Sequence, residues 1–547
     1  MASVILGLLL ATQRFQPAGS SHSASSPLRI AFIHPDLGLG GAERLVIDAA
    51  CELAQRGHQV TIFTAHYDPA RCFEETLTGA FRVTTAGTWF PRSIHGRAFA
   101  LCAYIRCLIV ATHLAFTPLS DVVSSPSSSS PSVKRRQSTF DVIIADQVSA
   151  VVPLLKVLLP RSKVLFYCHF PDLLLAARPS LLHSLYRAPL DAIEQASTGM
   201  AHRVLVNSAF TAGVFASTFG RLAAAGVVPQ VLHPAVMVPS DQDLKDSQFA
   251  SLEELGPEIT HLIQSAAGGP VFVSVNRFER KKGLPLALQA LALLAKAESS
   301  SHSPTPQQQS TTKTAAATAS AALPHATTST NSTKSLSSTV SDDVHTPPAS
   351  QSCGPTESQG PAQSRESLGT REATAGGGSD RLDACKPGAH RPRTVLVLAG
   401  GYDVRLAENV EHLAELKALA ASLRITDRVA FLTSFSDRQR TLLFAAATAV
   451  LYTPQREHFG IVPLEAMAAG RPVIACNSGG PLESIVHGTT GLLVEPDPES
   501  WAAAMGQLSD PNAAQPMGLA ARDHVSQGFS RAVFGGKLEA VLLDMVA

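Results

Sequence analysis

Short apolar runs recur along the chain, separated by segments whose apolar residues fall at helical spacing. Leu28 to His34 reads as a buried strand. It leads into a glycine-rich turn at Gly38, Gly40 and Gly41, an amphipathic helix from Ala42 to Gln55 closed by Gly57, and a second strand at Val60 to Thr64. Strand, turn, helix, strand is the opening of a parallel α/β sheet. Apolar runs at Asp141 to Ala145, Val164 to Tyr167, Arg203 to Asn207 and Val231 to Leu232 continue it. A polar stretch, Pro239 to Leu255, reads as a linker. A second α/β unit starts with the strand Val271 to Val275 and a helix from Leu284 to Ala297, and resumes at Val395 to Ala399, Val429 to Leu432, Ala449 to Tyr452 and Val473 to Ala475.

The pattern therefore predicts an α/β protein of two Rossmann-like, parallel-sheet lobes facing across a cleft. The expected boundaries are a leader at 1–27, a first lobe at 28–238, a linker at 239–258 and a second lobe at 259–547. From Glu298 to Pro392 the chain turns to Ser, Thr, Ala, Pro and Gln, with too few apolar residues to offset ordering entropy, and reads as a disordered insertion in a surface loop. Loop-closure entropy grows slowly with length, so such an insertion costs little. Gly283 and the linker suggest a place where lobe closure is gated.

Two further apolar segments concern membranes. Met1 to Thr12 lacks a basic flank and is too short to span a bilayer, which makes it a poor signal peptide. Ala98 to Leu119 is long enough to span, yet Arg106 near its middle opposes full insertion. It reads either as a helix of the first lobe or as a helix lying in the membrane interface with its cation snorkelling. At 547 residues and 45% hydrophobic composition the chain can bury large cores. Its 44 basic and 44 acidic residues balance, without the basic excess of a nucleic-acid partner. The eight cysteines show no metal-ligand spacing and read as reduced residues of a chain facing the cytosol.

The chemistry concentrates where strands end. After the run Ala449 to Tyr452 comes Glu457-His-Phe-Gly-Ile-Val-Pro-Leu-Glu465, with Pro463 in the first turn of a short helix. One carboxylate sits on the loop and the other on the helix. The free amides of Phe459, Gly460, Ile461 and Val462 offer an anion site at the helix start. Phosphate on amides with hydroxyls on carboxylates suits a nucleotide sugar. Arg277 and Lys282 follow the first strand of the same sheet, where they can clamp a diphosphate and neutralise it as it departs. A solvated basic turn would explain those cations alone, but not their coincidence with the acids. A lone histidine is more often structural than catalytic, but His169 ends a strand of the first lobe, which puts it at the cleft mouth. The turn at Gly40 and Gly41 misses the dinucleotide spacing, because Glu43 stands where a glycine is required; it suits either close approach of a phosphate or sugar or simply the turn from strand to helix. Asp241 and Asp243 resemble an acidic metal pair but lie in the polar linker, so no divalent metal is expected.

Together these residues resemble the retaining glycosyltransferases of the GT-B fold that carry a Glu-x7-Glu motif. Finer wording narrows the resemblance: His34 to Arg44, Phe166 to Asp172, Asn276 to Lys282, Ala399 to Asp403 and the pair Glu408-Asn409 are similar to the α-1,3/1,6-mannosyltransferases of dolichol-linked oligosaccharide assembly. It covers Leu28 to about Ala547, except the insertion and a Ser-rich loop at 124–138.

The resemblance implies that GDP-mannose is the donor, with no cofactor or metal. The acceptor would be Man-GlcNAc2-diphosphodolichol at the cytosolic face of the endoplasmic reticulum membrane, receiving an α-1,3 and then an α-1,6 mannose. Other mannosyltransferases of the same pathway would be partners. Glu465 would bind the donor ribose, Glu457 the mannose hydroxyls or developing charge, and Arg277 and Lys282 the diphosphate. His169, Gly40 and Gly41 would shape the sugar and acceptor side, and residues 98–119 would seat the first lobe at the headgroups. Retention would follow front-face attack, with no protein nucleophile.

Overall fold

The computed structural model describes residues 26–94, 98–117, 140–176, 180–300 and 392–547. The apolar leader, the Ser-rich loop and residues 301–391 of the insertion lie outside them. Among the described residues thirteen strands make two sheets, all their pairings parallel. The first holds β1 (Arg29–His34), β2 (Gln59–Thr64), β3 (Arg82–Thr85), β4 (Val142–Asp146), β5 (Lys163–Cys168), β6 (Arg203–Val206) and β7 (Gln230–Val231), in the order β3-β2-β1-β4-β5-β6-β7. The second holds β8 (Val271–Val275), β9 (Val395–Gly400), β10 (Val429–Thr433), β11 (Ala449–Tyr452), β12 (Val473–Cys476) and β13 (Gly491–Val494), in the order β10-β9-β8-β11-β12-β13.

Helices cover both faces of each sheet, so central strands such as β4 and β8 are buried at every residue and read as continuous apolar runs. The chain reverses its winding between β1 and β4 and between β8 and β11. A crevice opens at the carboxyl ends beside such a switch. The expected site residues stand there: Gly40 and Gly41 after β1, His169 after β5, Lys282 after β8 and Glu457 after β11. Edge strands β3 and β13 were not legible. β3 has no buried residue, and β13 is four residues long beside glycine and threonine turns.

Three expectations are corrected. The polar stretch 239–258 is not an extended linker. Ser240 and Asp243 form a reciprocal capping box that starts a helix at Asp241–Phe249, and a 3-10 turn follows at Leu252–Leu255. This segment belongs to the second lobe. It packs on the helix Asp437–Ala446, Glu254 pairs with Arg438 at 3.2 Å, and Asp241 pairs with Arg522 at 2.6 Å. The acidic pair thus caps and anchors a helix.

The second lobe also does not run to the end of the chain. The terminal helix Arg531–Val546 packs on the first lobe, inserting Phe534, Leu538, Val541, Leu542 and Met545 against the helix Gly41–Gln55. Two strands of chain therefore cross side by side between the lobes, with Val236 bonded through its N–H to the Phe529 carbonyl at 3.0 Å.

The third correction concerns Arg106. The helix Phe99–Phe116 lays Cys102, Tyr104, Cys107, Val110, Ala111 and Leu114 on the first sheet. Arg106 points inward with them, 4% exposed, and donates to both carboxylate oxygens of Asp36 at 2.9 and 2.5 Å. A paired, buried guanidinium does not snorkel. The outer face, with Ile105, Leu108, Ile109, Thr112 and His113, lines an open groove. Of the six described cysteines none is disulfide-bonded, and all but Cys72 are buried.

Candidate active site

Lys282 and Glu457 meet through the close approach of the two strand ends that carry them. Thr453, just past β11, donates its hydroxyl to the Lys282 carbonyl at 2.6 Å. Gly283, at φ +64°, lets the loops close, since a Cβ there would stand 3.2 Å from the Thr453 carbonyl. The Lys282 ammonium then donates to Glu457 Oε2 at 2.5 Å. Burial pushes the Glu457 carboxyl up, but the Lys282 charge outweighs it and holds the group below its usual range, so it is ionised at neutral pH.

The helix Ile461–Ala468 begins at Gly460, whose φ of +84° and proximity to the Tyr452 ring require the missing side chain. The backbone N–H groups of Phe459, Gly460, Ile461 and Val462 have no acceptor among the described residues. Unpaired amides at a helix start are suited to an anion. The Phe459 side chain has a separate role, buried beside His233 and Phe529 where the chain crosses between lobes. Glu465 lies behind, bonded to Arg440 at 3.1 Å, its carboxyl raised by burial against the opposing pull of Arg440.

The basic turn divides its tasks. Lys282 reaches Glu457, whereas Arg277 stands on the rim, 62% exposed and paired with Glu279 at 2.8 Å. Arg280 turns away to Glu411 and Glu415. The two expected diphosphate ligands are thus unlike: one is set, and the other must swing from Glu279 to reach a ligand.

On the first lobe, His169 donates from one ring nitrogen to a carboxylate that sequence reading passed over. Asp146, the last residue of β4, is 1% exposed, and its Oδ1 lies 2.8 Å from His169 Nε2. Its Oδ2 lies 2.8 Å from Nδ1 of His34, the last residue of β1. Gly40 is extended at the start of the helix Gly41–Gln55, and its missing side chain leaves room for the Glu43 carboxylate to fold back toward His34 Nε2 at 3.9 Å. Gly41 has open space around its Cα.

The lobes touch through the same loops. The His458 ring stacks on Phe170 with centroids 3.7 Å apart, and Ser208 donates its hydroxyl to the His458 carbonyl at 2.5 Å. Glu483 accepts from the amides of Ala209 and Phe210, at 2.7 and 2.8 Å, and meets His233 Nε2 at 3.0 Å.

Comparisons with known proteins give the family and the fold. The family description "Glycosyltransferase Family 4" matches residues 39–230, and "Glycosyl transferases group 1" matches residues 380–524. The α-1,3/1,6-mannosyltransferase ALG2 of Mus musculus is 38% identical over 520 residues, 94% of this chain and 96% of that protein. The protein of the same name from Saccharomyces cerevisiae is 33% identical over 508 residues, 87% of this chain and 76% of its own. The chain belongs to the α-1,3/1,6-mannosyltransferase family. It is a glycosyltransferase of the GT-B fold, as its sheets indicate. Among solved structures, the sucrose-phosphate synthase of Thermosynechococcus elongatus superposes with a TM-score of 0.58 at 18% identity, covering 95% of this chain and 99% of that one, a likeness of fold.

Within this mannosyltransferase fold, sequence reading missed Asp146, His34, Ser208, His233 and Glu483, and met Glu43 only as a failed glycine position. One signal was available. Asp146 ends the apolar run Val142 to Ala145, and an acid closing a buried strand at the carboxyl edge is expensive unless it has a task.

Proposed function

We propose that this protein transfers mannose from GDP-mannose to Man-GlcNAc2-diphosphodolichol, first through an α-1,3 and then through an α-1,6 linkage, at the cytosolic face of the endoplasmic reticulum membrane. The observation that carries the reading is the Lys282–Glu457 pair at the carboxyl edge of the second sheet, beside four free amides, in a chain of this family. The amides and Lys282 take the diphosphate, and Arg277 joins them by leaving Glu279. Their positive charge stabilises the leaving GDP as the anomeric C–O bond breaks. No metal is required in this scheme, because fixed cations and amides do that work.

Glu457, ionised and held by Lys282, faces the mannose hydroxyls and the charge that develops at the anomeric carbon, and Glu465 binds the ribose. The acceptor hydroxyl attacks the face from which GDP leaves and gives its proton to the departing phosphate oxygen. The anomeric configuration is retained.

A lipid-linked acceptor also gives a task to apolar surface on the first lobe. Leu181, Leu182 and Leu185 are 90, 80 and 72% exposed at the start of the helix Leu181–Thr198. Exposed Phe99 lies nearby, since the Tyr186 hydroxyl of that helix meets the Leu101 amide at 3.1 Å. We assign this surface, with the outer face of Phe99–Phe116, to the membrane interface.

The test is to incubate detergent-solubilised protein with GDP-mannose and a short-chain lipid-diphosphate Man-GlcNAc2 acceptor, without added metal, and to follow product mass. Two successive mannose additions are expected, reduced about 100-fold or more in Glu457→Gln, the scale on which a charge-stabilising group acts. Transfer of another sugar, or to a soluble acceptor only, by folded protein would move the function to a different transferase of this fold.

A further inference from the structure

The buried carboxylate of Asp146 lies between two histidines, and only one of them, His169, is open to the cleft. An ionised carboxylate only accepts hydrogen bonds, so both rings must present N–H to it. His34 then carries its proton on Nδ1 and His169 on Nε2. His169 Nδ1 has no partner among the described residues and is the ring nitrogen left for a ligand. We infer that Asp146 and His34 are positioning residues that hold the His169 ring with its Nε2–H on Asp146, so that Nδ1 is the nitrogen presented to a sugar hydroxyl in the cleft.

Two observations make the assembly more than a satisfied core histidine. His34 and Asp146 are each 1% exposed, and burying two ionisable groups in a sheet is costly unless they are paired. In addition, His34 is flanked by a second carboxylate, Glu43, for which Gly40 clears the space. Burial works against the His34 proton, but Asp146 and Glu43 prevail and raise the ring to about 9. Burial likewise pushes Asp146 up, and the two histidines bring it down to about 2.

At neutral pH the His34–Asp146 pair is therefore an imidazolium and a carboxylate. The other groups around the pair are Glu43 on the helix Gly41–Gln55, Cys107 and the Arg106–Asp36 pair on the helix Phe99–Phe116, Tyr167 on β5 with its ring 4.8 Å from His169, and His458 from the second lobe. Of these, Glu43 touches His34 and none is placed to replace its proton.

The inference rests on the sugar-transfer reading for its consequence, not for its geometry, and two measurements separate them. In full-length detergent-solubilised protein labelled with 15N-histidine, with His34→Gln and His169→Gln used for assignment, the nitrogen shifts report tautomer and charge without turnover. At pH 7 His34 is expected as imidazolium and His169 with its proton on Nε2, facing Asp146. An unprotonated Nε2 on His169, or a neutral His34, overturns the inference whether or not transfer is detected.

In the transfer assay, His34→Gln keeps a hydrogen-bond donor to Asp146 but removes the positive charge. The acid limb of kcat should move up by about one pH unit or more, with the donor KM within about twofold. Asp146→Asn, which cannot accept from both rings at full strength, should lower kcat at least about tenfold. A structural role alone would lower stability and leave the pH profile where it was, and that result in folded His34→Gln also overturns the inference. If that variant does not fold, the nitrogen shifts of His169 in the natural chain decide. Transfer failing in every form while the shifts agree would refute the proposed function and leave the tautomer assignment standing.

Discussion

Substituting Glu483 by Gln tests whether the lobes are held together where the donor loop meets the first sheet. Glu483 stands on the second lobe, yet its carboxylate satisfies the first two amides of the helix Ala209–Thr218 and His233 Nε2, all on the first. The neighbouring Ser208 caps the same helix through the Thr211 amide and donates to His458, so the latch adjoins Glu457. Glutamine keeps the shape but removes the charge favoured at a helix N-terminus and points an NH2 at an amide N–H. One bond is lost, and the others lose charge assistance. Because Glu483 is partly exposed, the low end applies: about 1.5 kcal/mol for the bond lost and about 0.5 kcal/mol for each of the two that become neutral, a net cost of about 2–3 kcal/mol. That corresponds to about a 30- to 150-fold fall in the ratio of engaged to separated lobes. Fluorescent labels on an exposed site of each lobe should show a broader, longer distance distribution without donor, and the donor KM should rise. An unchanged distribution with KM within twofold would show that the Glu483 bonds do not hold the lobes, and that the Phe170–His458 stack and the crossing strands suffice.

Other outcomes follow from the same structure. Stability should depend on pH through His34. Its folded value of about 9 lies above the ordinary 6.5, so its contribution is complete below about 6.5 and is lost as pH rises through 9; a urea-midpoint series should fall over that window and flatten in His34→Gln. Asp146, lowered from 3.8 to about 2, gives the opposite slope, with stability lost as pH falls through that range. Replacing Asp36 by Ala strands the Arg106 guanidinium inside an apolar helix. Because Asp36 is about a third exposed, the loss should be about 2–3 kcal/mol in denaturant unfolding, short of the full penalty for a buried pair, and no change would contradict the pairing. The double variant Leu181→Asp, Leu182→Asp should sediment less with phosphatidylcholine–phosphatidylinositol vesicles and leave GDP-mannose binding intact. Equal sedimentation would remove those leucines from the membrane surface.

Most of the architecture was legible because it rests on local pattern. Buried parallel strands need both faces apolar, and the helices between them need one apolar stripe, so β1, β4, β8, β11 and their neighbours appear in the sequence as runs of near-correct length. The second lobe's site was legible for a related reason. Lys282, Glu457 and Glu465 each follow a strand end closely, and the switch between β8 and β11 puts those ends side by side. Edge strand β3 was hidden because its half-exposed residues carry no apolar signal. The helix behind Ser240 is hidden in a stretch that reads as a linker, because the polar residues that suggest a linker are also what a helix start requires.

The sequence alone determined the fold class and the family and singled out the candidate donor residues, since these depend on strand periodicity and on short segments that keep their neighbours. Tertiary structure decided everything that joins distant segments. It turned Arg106 inward to Asp36, carried Arg531–Val546 back to the first lobe, bound Glu483 to Ala209 and Phe210 across the cleft, and gathered His34, Asp146 and His169 at the ends of three strands. The physical reason is shared by all four. A buried charge, an unpaired amide or an apolar helix face is satisfied by whatever the completed fold brings within reach, and over 112 residues from His34 to Asp146 no local pattern records that partner.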